Sequence, residues 1–149
     1  FENRHFVYPF NRGTVDIPKE KFIVLNKNKN IISLDLDDKI KEVINHSRPI
    51  PPGGCFFAEK KKFIEVGMEN EFFINYGVED QERLDRIKKL GYGVGFVKGV
   101  LFHLEHAKSV TSTYKNEFWQ NNEEQIQKIR AMSKEELKNY IKNKFTWTN

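Results

Sequence analysis

The stretch that decides the fold is FFINYGVEDQERLDRIKKLGY, residues 72–92, in which an aromatic loop leads into an amphipathic segment. Apolar side chains recur from Leu84 to Leu90 at the spacing of one helix face, which predicts a helix. Gly91 predicts where this helix ends, because glycine readily adopts the left-handed conformation that closes many helices.

Two acids, Glu79 and Asp80, stand side by side at the predicted start of this helix, after Tyr76 and Gly77. The positive end of the helix dipole and its free N–H groups keep a carboxylate ionised and fixed there. A general base or an acceptor for a sugar hydroxyl needs such a carboxylate. The ordinary alternative is that Asp80 is only a helix N-cap and that Glu79 is exposed.

The segments around this stretch predict a mixed α and β domain with short strands and flanking helices. Apolar runs and turn residues predict strands over residues 5–10, 55–58, 92–97 and 100–104. Helical spacing predicts helices over residues 35–45, 60–66 and 118–132, and Ser133 to Glu136 has the capping-box pattern of a last helix. The helices are therefore concentrated toward the end of the chain.

The composition is that of a globular domain with a small positive charge. The 149 residues are 38% hydrophobic and 13% aromatic, which is richer than a disordered chain. The excess of 25 Lys+Arg over 21 Asp+Glu is small and scattered, which disfavours a dedicated nucleic-acid binder. Cys55 is the single cysteine, which excludes an intrachain disulfide and a cysteine zinc site. No apolar stretch approaches the ~18 residues of a membrane span.

Two further patterns have a possible chemical role. Gly53 and Gly54 follow prolines, and paired glycines let a backbone approach a ligand closely, although the same pattern marks a simple turn. On a strand, His103 shares a face with Glu105 and not with His106. One imidazole can therefore bind a divalent metal, and both can do so only if the segment turns. A lone histidine is more often structural, and full zinc-site spacing is absent.

Taken in order, these features resemble the C-terminal, acceptor-side region of GT-A glycosyltransferases of the galactosyltransferase and chondroitin-polymerase type. The family pattern is a Gly-Gly strand, a Phe-(x)3-Gly-Gly segment, Trp-Gly-Gly-Glu-Asp, an Arg-Leu helix and a downstream metal-binding His. The matching residues here lie between 49 and 106: Gly53-Gly54, Phe63 to Gly67, Tyr76 to Asp80, Arg86 and His103. The chain departs from the family by having Tyr76 in place of the Trp, and Val78 and Met68 in place of the second glycines.

The resemblance implies a role for each residue of the Tyr76–Asp80 motif. Asp80 would take the proton of the attacking acceptor hydroxyl, and Glu79 would hydrogen-bond a sugar. Tyr76 would stack on the acceptor ring, with Gly77 beside it as a further substrate-binding residue.

The resemblance also implies roles for the glycine pair and the histidines. Gly53 and Gly54 would let the backbone lie against the donor or acceptor sugar. His103, with His106 as the second candidate, would complete a Mn²⁺ or Mg²⁺ site that neutralises the nucleotide diphosphate leaving group.

The implied activity is inverting, metal-dependent transfer from a nucleotide-sugar, expected to be a UDP-sugar, to a saccharide acceptor. Residues 1–110 would be the C-terminal half of a GT-A catalytic domain, and residues 111–149 its helical extension. The family's Asp-x-Asp motif should precede Tyr8, whereas the one match here is Asp35-Leu36-Asp37. We therefore expect a missing N-terminal nucleotide-binding half, and little activity from this chain alone.

The expected setting is surface-polysaccharide biosynthesis in a bacterial cytoplasm, with membrane association left open. Two other function classes also remain open. A non-catalytic glycan- or protein-binding module would use Phe72, Phe73, Tyr76 and Trp119, and its binding would be indifferent to Mn²⁺. A basic nucleic-acid binder would show steep salt dependence.

Overall fold

A computed structural model describes residues 4–11, 14–17 and 52–144 of the chain. These residues form short strands and helices, and the predicted mixed α and β class is confirmed. The strands are β1 (Arg4–Tyr8), β2 (Thr14–Ile17), β3 (Phe57–Ala58), β4 (Gly93–Phe96) and β5 (Leu101–Leu104). The helices are α1 (Lys60–Glu65), α2 (Glu79–Leu90), α3 (Trp119–Ala131) and α4 (Lys134–Lys144), with a 3-10 turn at Val110–Ser112. The helix predicted over residues 35–45 lies outside the described residues.

The described residues fall into two compact units. The first comprises residues 4–7, 56–95 and 108–144, and the second comprises residues 8–11, 14–17, 52–55 and 96–107. The division expected between residues 110 and 111 stays a prediction. No helix within the described ranges is both long and apolar enough to cross a membrane.

The first unit has a small sheet and a core made mostly by helices. Its strands lie in the order β3-β1-β4, and β3 is antiparallel to β1. The apolar spacing that predicted α2 is the face that is buried, and each such side chain contributes about 1.5–3 kcal/mol on burial. The buried core residues are Phe6, Val66, Ile87, Leu90, Ile129, Leu137 and Ile141. β3 has two residues, fewer than the strand expected over residues 55–58. It is also less buried than expected, because Phe57 is 64% exposed.

Local end signals fix the helix boundaries as the sequence predicts. Gly91 ends α2 with φ 91°, in the left-handed conformation. The capping box before α4 is formed: the Ser133 N–H donates to Glu136 Oε2 at 2.7 Å, and the Glu136 N–H donates to Ser133 Oγ at 3.3 Å. The bond from the Ser133 backbone holds the pKa of Glu136 below its ordinary value.

Lys89 joins α2 to the end of α3. Its Nζ donates to the carbonyl oxygens of Arg130 and Met132 at 2.6 and 2.7 Å, and to that of Ile129 at 3.3 Å. A cation is favourable there because the last carbonyls of a helix carry its negative dipole end. The contact fixes α3 against α2.

A buried ion pair within α2 holds the turn that follows α1. Glu82 and Arg86 are 1% and 0% exposed, and Arg86 Nε donates to Glu82 Oε1 at 2.7 Å. The same guanidinium donates through Nη1 to the Val66 carbonyl and through Nη2 to the Met68 carbonyl, the latter at 2.8 Å. These bonds hold Gly67 and Met68, which have positive φ angles of 86° and 51°.

The second unit contains a parallel strand pair, β2 and β5. Val15 pairs with Phe102, and Asp16 pairs with His103. β4 and β5, which the sequence predicts on either side of a turn at Lys98-Gly99, therefore belong to different sheets.

Candidate functional site

The acid pair begins α2, with Glu79 as its first residue and Asp80 as its second. The N-cap is Val78, which makes no side-chain capping bond, so Asp80 is not the N-cap that the ordinary alternative assumes. Glu79 is half-buried, and its Oε2 is buried without a hydrogen-bond partner in the part of the chain described. Such an orphaned carboxylate oxygen is uncommon.

Asp80 is held in place by a buried arginine, Arg83. The arginine Nη2 donates to Asp80 Oδ1 at 2.5 Å, and its Nη1 donates to both carboxylate oxygens of Glu69 at 2.9 Å. Burial lowers the pKa of Arg83, but the two carboxylates outweigh burial and hold that pKa above its ordinary value. The Asp80 side chain is still 38% exposed. Asp80 is therefore both oriented and accessible.

The loop before α2 is fixed by two buried asparagines, Asn116 and Asn122. Asn122 is fully buried; its Nδ2 donates to the Ile74 carbonyl at 2.9 Å, and its Oδ1 accepts from the Ile74 N–H at 3.3 Å. Asn116 Nδ2 donates to the Tyr76 carbonyl at 2.7 Å. Both asparagines were missed by sequence reasoning, because a single polar residue near an amphipathic helix looks like a surface position.

Gly77 packs directly on Asn122, so its small size is required by the protein's own contacts. A Cβ at this position would lie 2.5 Å from Asn122 Nδ2 and 3.1 Å from Asn122 Cβ. We expect Gly77→Ala to displace Asn122 from Ile74 and to lower the free energy of unfolding by about 1–3 kcal/mol. Urea unfolding measures the change.

The matched control for Gly77 is the same substitution in an Asn122→Ala background. There the clash with the amide is absent, so Gly77→Ala should cost much less than in the wild-type chain. Strictly additive losses in the double variant would show that the contact with Asn122 is not the reason for the glycine.

Tyr76 belongs to an aromatic group in the first unit. It is 49% exposed and stacks on Trp119 with ring centroids 6.2 Å apart and an interplanar angle of 21°. Tyr114 meets Trp119 edge-on, at 6.5 Å and 80°. The structure therefore brings the predicted Tyr76, Gly77, Glu79 and Asp80 together around the start of α2.

The glycine pair lies in the second unit. Gly54 has φ 93°, and a Cβ there would lie 2.5 Å from Leu101 Cδ2 of β5. Packing of the loop against β5 therefore requires glycine at position 54, whether or not a ligand binds there. Gly53 is half-buried beside it.

The predicted metal-binding histidine is paired with a carboxylate in the second unit. His103 Nδ1 lies 2.8 Å from Asp16 Oδ1, across the β2–β5 pair. When Nδ1 donates to this carboxylate, Nε2 is available, which is how carboxylates commonly orient metal-binding histidines. The His106 ring lies 5.3 Å from the His103 ring, because His106 follows the end of β5 at Leu104. The sequence does not indicate that Asp16 contacts His103, because the two residues meet only when β2 pairs with β5.

His103 and His106 are of a residue type that binds divalent metals. His103 offers an imidazole oriented by Asp16, and the His106 ring centroid lies 5.3 Å from that of His103. Within residues 4–11, 14–17 and 52–144, no group of three or more His, Cys, Asp and Glu is arranged to hold a metal ion. The predicted Asp35-Leu36-Asp37 match lies outside those ranges.

Residues 47–113 match the family described as the N-terminal domain of galactosyltransferase. This segment is similar to galactosyltransferases, and we call it the galactosyltransferase-type segment. The match contains the acid pair, the glycine pair and both histidines, and it confirms the resemblance predicted from the sequence. The family description refers to an N-terminal domain, so the acceptor-side assignment stays a prediction. No curated protein and no solved structure matches the chain.

The galactosyltransferase-type segment ends before the residues that hold its loop. Asn116, Trp119 and Asn122 all follow residue 113, where the match ends. The family match indicates a glycosyltransferase function for residues 47–113, and the structure adds a following segment that contacts the same loop.

Proposed function

We propose that the chain is the acceptor side of an inverting, metal-dependent glycosyltransferase that takes its sugar from a nucleotide-sugar, with a UDP-sugar as the expected donor. The observation that carries the proposal is the Glu79-Asp80 pair at the start of α2, inside the galactosyltransferase-type match. One acid is oriented and accessible, and the other has an orphaned buried oxygen.

Asp80 is assigned as the general base. Arg83 engages its Oδ1, so we assign Oδ2 to the proton of the acceptor hydroxyl. The hydroxyl oxygen bonds to the anomeric carbon as the bond from that carbon to the nucleotide diphosphate breaks. A single displacement of this kind inverts the anomeric centre. Glu79 would accept a hydrogen bond from a sugar hydroxyl, and Tyr76 would pack on the acceptor ring.

The cation-binding residues belong to the same proposal. His103, oriented by Asp16, would supply one ligand to Mn²⁺ or Mg²⁺, and His106 is the second candidate. A bound divalent cation neutralises the charge of the departing diphosphate. The backbone at Gly53 and Gly54 would approach a sugar.

The rest of the reaction is assigned to parts outside the described residues. The nucleotide-binding half would lie upstream or on another chain, so the present chain would bind the donor poorly alone. A bacterial, cytoplasmic role in surface-polysaccharide synthesis completes the proposal. The richness in Lys, Asn and Ile supports a bacterial origin, and the single cysteine fits a cytoplasmic enzyme.

Metal dependence tests the proposal in the enzyme that includes its donor-binding half. We expect EDTA to stop transfer and Mn²⁺ to restore it. We expect His103→Ala to raise the Mn²⁺ concentration needed for half-maximal rate by about 10–100-fold, and Asp16→Asn to raise it less. Mn²⁺ titration of initial rates gives both values.

His5→Ala is the matched control, because His5 also pairs with a carboxylate, Glu59, at 3.0 Å. It lies in β1 of the first unit, and its loss should leave the Mn²⁺ requirement unchanged. An unaltered Mn²⁺ requirement in His103→Ala would remove this histidine from the metal site.

The alternative function is a non-catalytic glycan-binding module, favoured by the exposed aromatic side chains near Tyr76. Phe72 is 43% exposed and fits this role, whereas Phe73 is partly buried against the core. Such a module would bind saccharide equally well with and without Mn²⁺. Its binding would also survive Asp80→Asn.

A further inference from the structure

We propose that Glu69 is a positioning residue for Asp80, acting through Arg83 to keep one carboxylate oxygen of Asp80 open to the acceptor hydroxyl. The inference rests on the proposed function, because it takes Asp80 as the general base. Glu69 contacts neither sugar nor metal in this assignment. Its role is to occupy the part of the Arg83 guanidinium that would otherwise close on the base.

Arg83 divides its two terminal nitrogens between two carboxylates. Nη1 donates to both oxygens of Glu69 at 2.9 Å, and Nη2 donates to Asp80 Oδ1 at 2.5 Å. An arginine that faces one carboxylate frequently forms a fork of two parallel bonds, one to each oxygen. Because Nη1 is directed at Glu69, the contact with Asp80 is made at Oδ1, and Oδ2 is left for the acceptor hydroxyl.

Glu69 lies in a turn whose backbone is fixed on both sides. The carbonyl of Met68, the residue before it, accepts from Arg86 Nη2 at 2.8 Å. Asn70, the residue after it, is 6% exposed, and its Oδ1 accepts from the Phe72 N–H at 3.1 Å. The position of the Glu69 side chain is therefore set by the fold, as a positioning role requires.

The Arg83 guanidinium is buried against an aromatic ring. Its Cζ lies 4.3 Å from the centroid of the Phe56 ring, and a cation is attracted to an aromatic face at this distance. The Arg83 side chain is 6% exposed, whereas those of Glu69 and Asp80 are 54% and 38% exposed. A buried cation needs compensating charge. Without Glu69, Asp80 would be the one carboxylate paired with Arg83 among the residues described, and we expect the guanidinium to close on both Asp80 oxygens.

Kinetics of the enzyme with its donor-binding half test the role of Glu69. We expect Glu69→Ala to lower kcat about five- to twentyfold with little change in the KM for the acceptor, because the base is affected and the sugar contacts are not. In an Arg83→Lys background the same substitution should change kcat by less than about twofold, since a lysine ammonium cannot form the two-bond fork. Equal losses in the two backgrounds would overturn the proposal.

Glu65→Ala is the matched control, because Glu65 also pairs with a cation, Lys62 Nζ at 2.8 Å, and ends α1 shortly before the turn that contains Glu69. It should leave kcat within about twofold. Thermal melting checks that Glu69→Ala is folded. Glu69→Gln replaces it if it is not, and we expect a loss of about two- to fivefold, since the remaining amide oxygen still accepts from Arg83 but without charge.

A crystal structure of the Glu69→Ala chain separates this inference from the proposed function. We expect both terminal nitrogens of Arg83 to donate to Asp80, one to each oxygen. An Asp80 Oδ2 that Arg83 does not contact in this variant overturns the inference, whatever the activity. Normal transfer by Asp80→Asn, with the two-bond contact present in the Glu69→Ala structure, overturns the base assignment instead and confirms the effect of Glu69 on Arg83.

Discussion

We expect Asp80→Asn to lower sugar transfer severely in the enzyme that contains its donor-binding half, with kcat falling about a hundred- to ten-thousandfold. Asparagine has nearly the same shape, and its amide oxygen can still accept the bond from Arg83 that fixes this position. It cannot take a proton from the acceptor hydroxyl. The loss should therefore appear in kcat, with little change in the KM for the acceptor. Initial rates at varied acceptor concentration separate the two.

Asp85→Asn gives the matched control on the same helix. Asp85 is also ion-paired to an arginine, with Arg130 Nη2 at 2.7 Å from its Oδ2. The substitution should leave kcat within about twofold, because surface ion pairs of this kind contribute about 0–1 kcal/mol to stability. Near-normal transfer by Asp80→Asn would show that Asp80 is not the general base. Equal losses of kcat in the Asp80 and Asp85 variants would indicate a general effect on α2.

Arg86→Met gives the largest expected loss of stability, about 3–5 kcal/mol in the free energy of unfolding. The guanidinium is the buried partner of Glu82 and also binds the carbonyls of Val66 and Met68. Its removal leaves a carboxylate that is 1% exposed without its counter-charge. It also releases the turn after α1. Urea unfolding followed by circular dichroism measures the loss.

Arg130→Met is the control for the loss of an ion-paired arginine. The Arg130 side chain is 41% exposed, so its removal should cost about 0–1 kcal/mol. Replacing Glu82 by Leu together with Arg86→Met should recover part of the loss, since the unpaired charge is then gone. If the Arg86 and Arg130 variants lose the same stability, burial is not what makes the Glu82–Arg86 pair important.

The parts of the fold that sequence predicts are those with local signals. Helical spacing and Gly91 placed α2, because both act within a few residues of one another. The capping box at Ser133 and Glu136 was equally local, and the structure confirms it. The acid pair at the start of α2 followed from the same helix boundary.

The parts that sequence missed depend on residues far apart in the chain. Asn122 contacts Ile74, and Asp16 contacts His103, although each pair is widely separated in sequence. No periodicity or spacing carries such information, because the partner is known only after the segments pack. Phe57 is a related case, since an apolar run does not state which of its side chains will face solvent.

The departures from the galactosyltransferase pattern have different structural consequences. Met68, where the family has a second glycine, has φ 51°, a left-handed conformation that costs a side chain roughly 1–2 kcal/mol. Arg86 holds this residue through its carbonyl. Val78 has φ −105° and needs no glycine. Met68 therefore has a strained backbone conformation, which Arg86 of the buried ion pair holds in place. Val78 has an ordinary backbone conformation and adds no strain.

The two asparagines that fix the Tyr76 loop also set an order of assembly during synthesis. A ribosome makes the acid pair first, and Asn116 and Asn122 leave the exit tunnel only later. Until then Gly77 has no amide to pack on and the Ile74 backbone lacks its partner. The loop can therefore close only after the following helix has emerged. A nascent chain halted at residue 113 would contain Glu79 and Asp80 but not Asn116 and Asn122, which hold the backbone of the loop before the acid pair.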